Sequence, residues 1–439
     1  MPTGGDQRRR ELLLRMFDAA VAAAHPAKCL PPHLPPVPGD GHLIIIGAGK
    51  AGAAMAVAAG EHYARSSDAA RVFGSVVTRH GFALPPSIIE ITEAGHPVPD
   101  DASVAAARRA LALASDAGEQ DLVLCLLSGG ASALWSAPVD GVSLAAKQAL
   151  TRALLKAGAR ISEINMVRRH ISAIKGGRLA AAAFPAQLVT LAISDVPGDD
   201  PAVIGSGPTV ADASTLADAR QVLVRFSITP PPEIAAALAD PANETVKPGS
   251  IALSATRYEL IATPRGSIEA GAAIARAAGY EVEVLGDALE GEARDVAARH
   301  ATMALAAKAR GRRVAILSGG ELTVTVTGTG AGGPNQEYAL GFVAALAGAA
   351  GAGVGGISAL AADTDGIDGG GGSASDPAGA IVVEDSLARA AARQLNPATF
   401  LANNASTAFF EQLGDLVRSG PTQTNVNDFR AILIDPDDV

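Results

Sequence analysis

The stretch HLIIIGAGKAGAAM, His42 to Met55, carries an apolar strand into a turn of glycine and alanine with one lysine at its tip. Gly47, Gly49 and Gly52 spell the G-x-G-x-x-G of a dinucleotide-binding turn. That reading asks for an acidic residue at the end of the next strand to hold the ribose. The next strand, RVFGSVVTRH (Arg71 to His80), ends instead in Arg79 and His80. An arginine there suits a 2′-phosphate, so an NADP-type turn stays open. Lys50 points elsewhere: a cation beside a helix N-terminus adds a full charge to backbone donors that already favour anions. No Walker A pattern is present. The turn therefore holds a nicotinamide cofactor, or it serves phosphoryl transfer in an architecture other than the P-loop.

The shape of this stretch recurs. DLVLCLLSGGAS (Asp121 to Ser132), QLVTLAISDVPGDD (Gln187 to Asp200), RRVAILSGGE (Arg312 to Glu321) and GISALAADTDGIDG (Gly356 to Gly369) each run from a branched aliphatic strand into glycine, serine or aspartate. Continuous apolar strands predict parallel sheets covered on both faces, an α/β protein whose loops at the strands' C-terminal ends line a crevice. A chain of 439 residues exceeds one ordinary core, so two domains are expected. The proline-rich, polar segment Ile228 to Ser250 is the linker candidate, dividing residues 1–240 from 241–439.

Totals exclude several classes. A formal charge of −10 argues against a nucleic-acid surface. Cys29 and Cys125 lie far apart without metal-type spacing, which predicts a reduced, cytoplasmic chain. Glu11, Arg15 and Asp18 interrupt the first apolar patch, predicting an amphipathic helix and no signal segment. Leu340 to Ala362 is uncharged, but its interior AGAAGAGVGG is a poor membrane helix; helix, glycine loop and strand are expected, and no membrane span. Homo-oligomerisation stays open.

Further loops carry candidate chemistry. In SGGASALW (Ser128 to Trp135) the backbone around Gly129 and Gly130 can cradle phosphate, with hydroxyls from Ser128 and Ser132. NMVRRHISAIKGGRLA (Asn165 to Ala180) gathers Arg168, Arg169, His170, Lys175 and Arg178, either a solvated basic helix face or, given the helix-breaking pair Gly176 and Gly177, a bend at a carboxylate or phosphate site. ISDVPGDDPAVIGSGPTVAD (Ile193 to Asp212) offers Asp195, Asp199 and Asp200 after a strand, where Mg²⁺ takes one or two carboxylates plus substrate phosphates. DTDGIDG (Asp363 to Gly369) is a second acidic loop, and GPTQTNVNDF (Gly420 to Phe429) a polar one.

Taken together, GAGKAGAAMA, EAGHPVPD (Glu93 to Asp100), LLSGGASAL, NMVRRHISAIKGGRLA, ISDVPGDDPAVIGSGPT, GGPNQEYAL (Gly332 to Leu340), AADTDGIDG and SGPTQTNVND resemble the class II glycerate kinases over nearly the whole chain. Members are sometimes labelled hydroxypyruvate reductase or tartrate-degradation protein. The resemblance implies ATP-dependent phosphorylation of D-glycerate, usually to 2-phosphoglycerate. It implies a Rossmann-like, mainly parallel N-terminal domain, a smaller α/β C-terminal domain of the MOFRL type, and an active site in the interdomain cleft. On that basis Lys50 balances transition-state charge, and Gly47, Gly49, Ser128, Gly129, Gly130 and Ser132 bind nucleotide phosphates. Asp195 contacts Mg²⁺, Asp365 is an alternate carboxylate or general base, and Arg168 and Lys175 grip the glycerate carboxylate. Two positions depart from the family: Pro334 stands where many members have arginine, and Asn404 where an aspartate is common. The competing readings are an NAD(P)H-dependent hydroxypyruvate reductase and a non-catalytic sugar-acid-binding protein.

Overall fold

Six strands carry the segment 26–261 of the computed structural model, which describes residues 4–85, 88–349, 354–369 and 372–436. They are β1 (Leu43–Ala48), β2 (Val72–Arg79), β3 (Glu90–Ala94), β4 (Leu122–Leu127), β5 (Gln187–Ile193) and β6 (Thr256–Ala262), in the spatial order β3-β2-β1-β4-β5-β6. Strands β1 to β5 pair in parallel, as the unbroken apolar runs of β1, β4 and β5 predict. The order reverses between β1 and β4, the switch point at which doubly wound sheets open a ligand crevice. Register sharpens this: Ala48 lies opposite both Val77 and Leu127, and Leu127 opposite Ala192. The loops after β1, β2, β4 and β5 therefore leave the sheet side by side.

The second compact unit joins residues 1–25 to 262–439. Its strands are β7 (Glu281–Gly286), β8 (Val314–Ser318), β9 (Ile357–Asp363), β10 (Gly379–Val382), β11 (Leu416–Val417) and β12 (Asp428–Ile434), in the order β11-β10-β9-β12-β8-β7. Among the described residues of this sheet only β7 and β8 pair in parallel; β12 runs antiparallel between β8 and β9. The parallel pairing expected from the continuous runs is thus corrected for β9, antiparallel to both neighbours, and holds for β8 on its β7 side alone. Burial on both faces, not strand direction, produced those runs. Val314, Ile316, Ala359, Ala361 and Ile432 enter one apolar cluster, while Ala315, Leu317, Leu360, Ala362 and Ala431 enter the other.

The expected halves, 1–240 and 241–439, differ from these units at both ends. The first helix, Gly4–Ala24, buries Leu13, Met16, Phe17 and Ala20 against the helix Pro264–Ala277 and β12, with the Phe17 and Phe429 rings 6.3 Å apart. The presumed linker is packed structure. Pro232–Ala239 is a helix, Val246 N–H donates to Gly176 C=O at 3.0 Å, and Glu244 accepts from the ring of His170 at 3.0 Å. Its prolines start helical turns. Among the described residues no helix is long and apolar enough to cross a membrane; residues 350–353 of the uncharged stretch lie outside them. Both cysteines are free thiols.

Candidate active site

The turn after β1 resolves the question its glycines raise. Gly49 has φ +145°, and a Cβ there would lie 2.0 Å from Ser128 Oγ, so only glycine lets the turn close against the loop after β4. A Cβ on Gly47 would meet Leu126 C=O at 2.6 Å, and one on Gly52 Val77 C=O at 2.9 Å. All three glycines thus serve packing onto β2 and β4. The backbone donors are spent the same way. Gly49 N–H bonds Val77 C=O (3.2 Å), Lys50 N–H bonds Gly129 C=O (2.8 Å), Ala51 N–H bonds Ser128 Oγ (3.0 Å) and Gly52 N–H bonds Gly49 C=O (2.9 Å). A dinucleotide turn offers such N–H groups to the pyrophosphate; this one has committed them internally. The end of β2 adds no ribose acid: the guanidinium carbon of Arg79 lies 3.6 Å from the Phe82 ring centre, and His80 bonds Asp100 at 2.7 Å. What the turn sets beside the loop after β4 is the Lys50 side chain, whose Cγ would lie 3.4 Å from a Cβ on Gly130.

The loop after β4 faces it with open donors. Gly130 is left-handed, at φ +82°, and a Cβ there would meet His96 Nε2 at 2.9 Å and Lys50 Cγ at 3.4 Å. Glycine therefore lets Lys50 and His96 come together over the loop. Among the described residues, the N–H groups of Gly129 and Gly130 donate to no protein acceptor. Paired free N–H groups beside a lysine make an anion cradle. Ser132 continues the site: its hydroxyl lies 2.9 Å from Ser206 Oγ in the GSG turn, 205–207, which is left-handed throughout.

The structure sorts the basic cluster of residues 165–180. Arg169 pairs with buried Asp212 at 3.2 Å. His170 is fully buried, with Nδ1 2.9 Å from Met166 C=O and Nε2 3.0 Å from Glu244 Oε1, and Arg178 donates to Glu244 C=O. Glu244, drawn down to about 2 by hydrogen bonds from Lys247, Leu216 N–H and His170 against the opposing effect of burial, is the hub of this scaffold. Lys175 is buried, and its three donors go to Ser132 C=O (2.8 Å), Ser132 Oγ (3.1 Å) and Gly205 C=O (3.4 Å). It ties the two loops together, so its donors are not those of a free substrate grip. Burial, then Lys147 and Arg168, hold its ammonium well below the ordinary lysine range.

Lys147 is the residue that sequence reasoning missed. It stands in the helix Leu144–Lys156 on the line of buried Leu150 and Leu154, and is only 4% exposed. Burial and the Arg168 charge bring it down to about 7. A lysine at the i position of an i, i+3, i+7 apolar stripe was the available signal. Ser206 and His96, which sit in quoted motifs, were likewise given no role.

Of the acidic candidates, Asp195 follows β5, next to the loop of β4, and is partly exposed. In the same loop Asp199, at φ +56°, keeps a buried Oδ1 without a hydrogen-bond partner among the described residues. Asp365 belongs to the other unit. It is buried, and its Oδ1 accepts from Ile367 N–H at 2.9 Å, closing the acidic turn. Its neighbour Asp368 accepts from Asn335 N–H (2.9 Å) and Gln336 N–H (2.8 Å), capping the helix Pro334–Gly348; burial raises it to about 7. Both departures meet at this helix. Pro334 occupies its first turn, where a proline is favoured. Asn404, left-handed at φ +52°, accepts from Thr327 and Gly328 N–H and donates to Glu337 Oε1 at 3.3 Å. An aspartate could not make that last bond.

Two family models match this chain, and the first of them crosses the boundary between the compact units at residues 25 and 26. A domain model described as of unknown function (DUF4147) matches residues 12–239, and the MOFRL family model matches residues 314–428. A D-glycerate 2-kinase of Thermotoga maritima is 38% identical over 95% of this chain and 97% of its own length. A protein of Agrobacterium vitis provisionally labelled hydroxypyruvate reductase is 48% identical over 98% of this chain and 96% of its own. The crystal structure of a glycerate kinase from Thermotoga maritima superposes with a TM-score of 0.86 at 37% identity, covering 98% of this chain and all of that one.

Proposed function

The chain belongs to the glycerate kinase family with a MOFRL domain, and from that premise we propose that it transfers the γ-phosphoryl group of ATP to the C2 hydroxyl of D-glycerate. The products are 2-phosphoglycerate and ADP: a bond forms from the C2 oxygen to phosphorus, the bond to the β-phosphate oxygen breaks, and the hydroxyl proton leaves. The observation that carries this reading is the turn after β1, which spends its N–H groups on β2 and β4 and presents Lys50 beside the open N–H groups of Gly129 and Gly130. Phosphoryl transfer asks chiefly for positioning and neutralisation of charge on the equatorial oxygens. Lys50 supplies the charge, and Gly129 and Gly130 fix the phosphate. Ser128, whose oxygen already accepts from Ala51 N–H, has its hydroxyl proton left to donate, and Ser132 lies beside it in the same loop. Arg168 takes the substrate carboxylate.

Mg²⁺ fits the loop after β5. Asp199 Oδ1 is an orphaned carboxylate oxygen, and Asp195 lies four residues before it; one or two carboxylates plus phosphates suit this cation. When bound, the ion would neutralise phosphate charge. Asp365 already closes its own turn, and a loose transition state needs no strong base, so the proton can pass to water.

The test is phosphorus NMR of the product made from MgATP and D-glycerate. A resonance of 2-phosphoglycerate is expected. A resonance of 3-phosphoglycerate would move the reaction to the other hydroxyl, and free phosphate as the sole product would overturn the transfer.

A further inference from the structure

The cations of the first unit divide into those neutralised by the protein and those that are not. Arg169 has Asp212; His170 and Lys247 have Glu244. Lys147 Nζ, by contrast, is buried with no hydrogen-bond partner among the described residues, and Arg168 enters no ion pair among them. Carboxylates on the flanking helices are engaged elsewhere. In Ile161–His170, Glu163 accepts from Arg160 N–H and pairs with Arg225; in Pro232–Ala239, Glu233 accepts from Ser143. One turn before Arg168, the Oδ1 of buried Asn165 is also without a partner.

Such an arrangement is costly to folding. A buried ammonium without a partner loses its hydration, and Lys147, Arg168 and Lys175 repel one another. Nothing in the packing repays this, whereas an oxyanion entering between Lys147 and Arg168 would. We infer that Lys147, Arg168 and Asn165 form the receptor for the carboxylate end of the hydroxy-acid substrate, with Lys147 supplying the buried charge and the Asn165 oxygen accepting from a substrate hydroxyl. The inference rests on the kinase reading for the identity of the acid, not for the presence of the anion site. A phosphate already has the N–H groups of Gly129 and Gly130 at the sheet edge, which leaves this cluster to the other anionic group.

Protonation follows binding. In the empty site Lys147 is held near neutrality by burial and by Arg168, and a bound carboxylate favours the ammonium. Binding therefore takes up a proton once the pH exceeds about 7, and D-glycerate affinity should fall as the pH rises from about 7 to 9. Lys175, the third cation, acts in the same direction.

Lys147→Met decides the matter, with Lys147→Gln as a second neutral variant. The KM for D-glycerate should rise roughly 10-fold or more, kcat should fall less than KM rises, and the KM for MgATP should change by less than about 2-fold. The rise of KM with pH seen in the wild type should flatten. The melting midpoint without substrate should be unchanged or higher, because an unpaired buried charge has been removed. A rise in the KM for MgATP instead would make the bound oxyanion a nucleotide phosphate and overturn the assignment, as would an unchanged KM for D-glycerate. Thermal shift of the wild type gives a check independent of the variants: D-glycerate should raise the midpoint and glycerol, which lacks the carboxylate, should not. Equal shifts from both would refute the site. If the wild type forms no ADP, yet D-glycerate stabilises it and not Lys147→Met, the anion site stands and the kinase reading falls.

Discussion

Lys50→Ala is expected to lower kcat by about 10³-fold, the loss seen when one preorganised charge is removed from a developing anion. The fold should be spared. Lys50 contributes to the turn through its backbone N–H, which bonds Gly129 C=O at 2.8 Å and which alanine retains. Gly49 and the bond from Ala51 N–H to Ser128 Oγ, both of which the alanine variant keeps, also hold the turn. The melting midpoint should accordingly stay within about 2 °C of the wild type. The KM values should move much less than kcat, because a loose transition state draws on the lysine as the phosphoryl group moves. Steady-state rates with a thermal melt check both halves; a variant with near-normal kcat would remove Lys50 from the mechanism.

The largest effect on stability is expected at Arg430→Met, a loss of about 3–5 kcal/mol from the second unit. Among the described residues Arg430 is the largest fully buried side chain, on the central strand β12. It pairs with Asp428 at 2.8 Å and donates to Ser318 Oγ at 3.3 Å and to the carbonyls of Gly319 and Gly320. Asp428 in turn accepts from Asn335, whose N–H is capped by Asp368. The arginine thus joins the glycine loop after β8 to the start of the helix Pro334–Gly348. Methionine fills the volume but leaves Asp428 buried and unpaired. Denaturant unfolding of Arg430→Met, Asp428→Asn and the double variant forms a cycle. The double variant should recover part of the loss; a single-variant loss below about 1 kcal/mol would show that the pair holds nothing.

Much of the first unit was legible. The unbroken runs at 43–48, 122–127 and 187–193 are strands of one parallel sheet, and the residues singled out after them, Lys50, Ser128 to Ser132 and Asp195, leave its edge together. That follows because strand ends are marked locally by glycine and serine. Pairing partners are not local. The strand β12 slips between β8 and β9 from over a hundred residues beyond β8, and the first helix joins a unit that otherwise begins at Ala262. Both follow from which apolar faces cover which, and a one-dimensional pattern does not carry that. The glycines at 47, 49 and 52 illustrate the same limit: the motif was visible, but its use depended on Ser128 and Val77, far away in sequence. Lys147 was hidden for another reason. Among the described residues no carboxylate pairs with it, and only the assembled helices reveal that.

The most direct measurement is the initial rate of ADP formation by the purified protein given MgATP, with D-glycerate, with L-glycerate and with neither. The account predicts rapid ADP release that requires D-glycerate, with little from L-glycerate or from MgATP alone. No ADP release from folded protein, together with NADPH oxidation in the presence of hydroxypyruvate, would contradict it and return the turn at Lys50 to a nicotinamide cofactor.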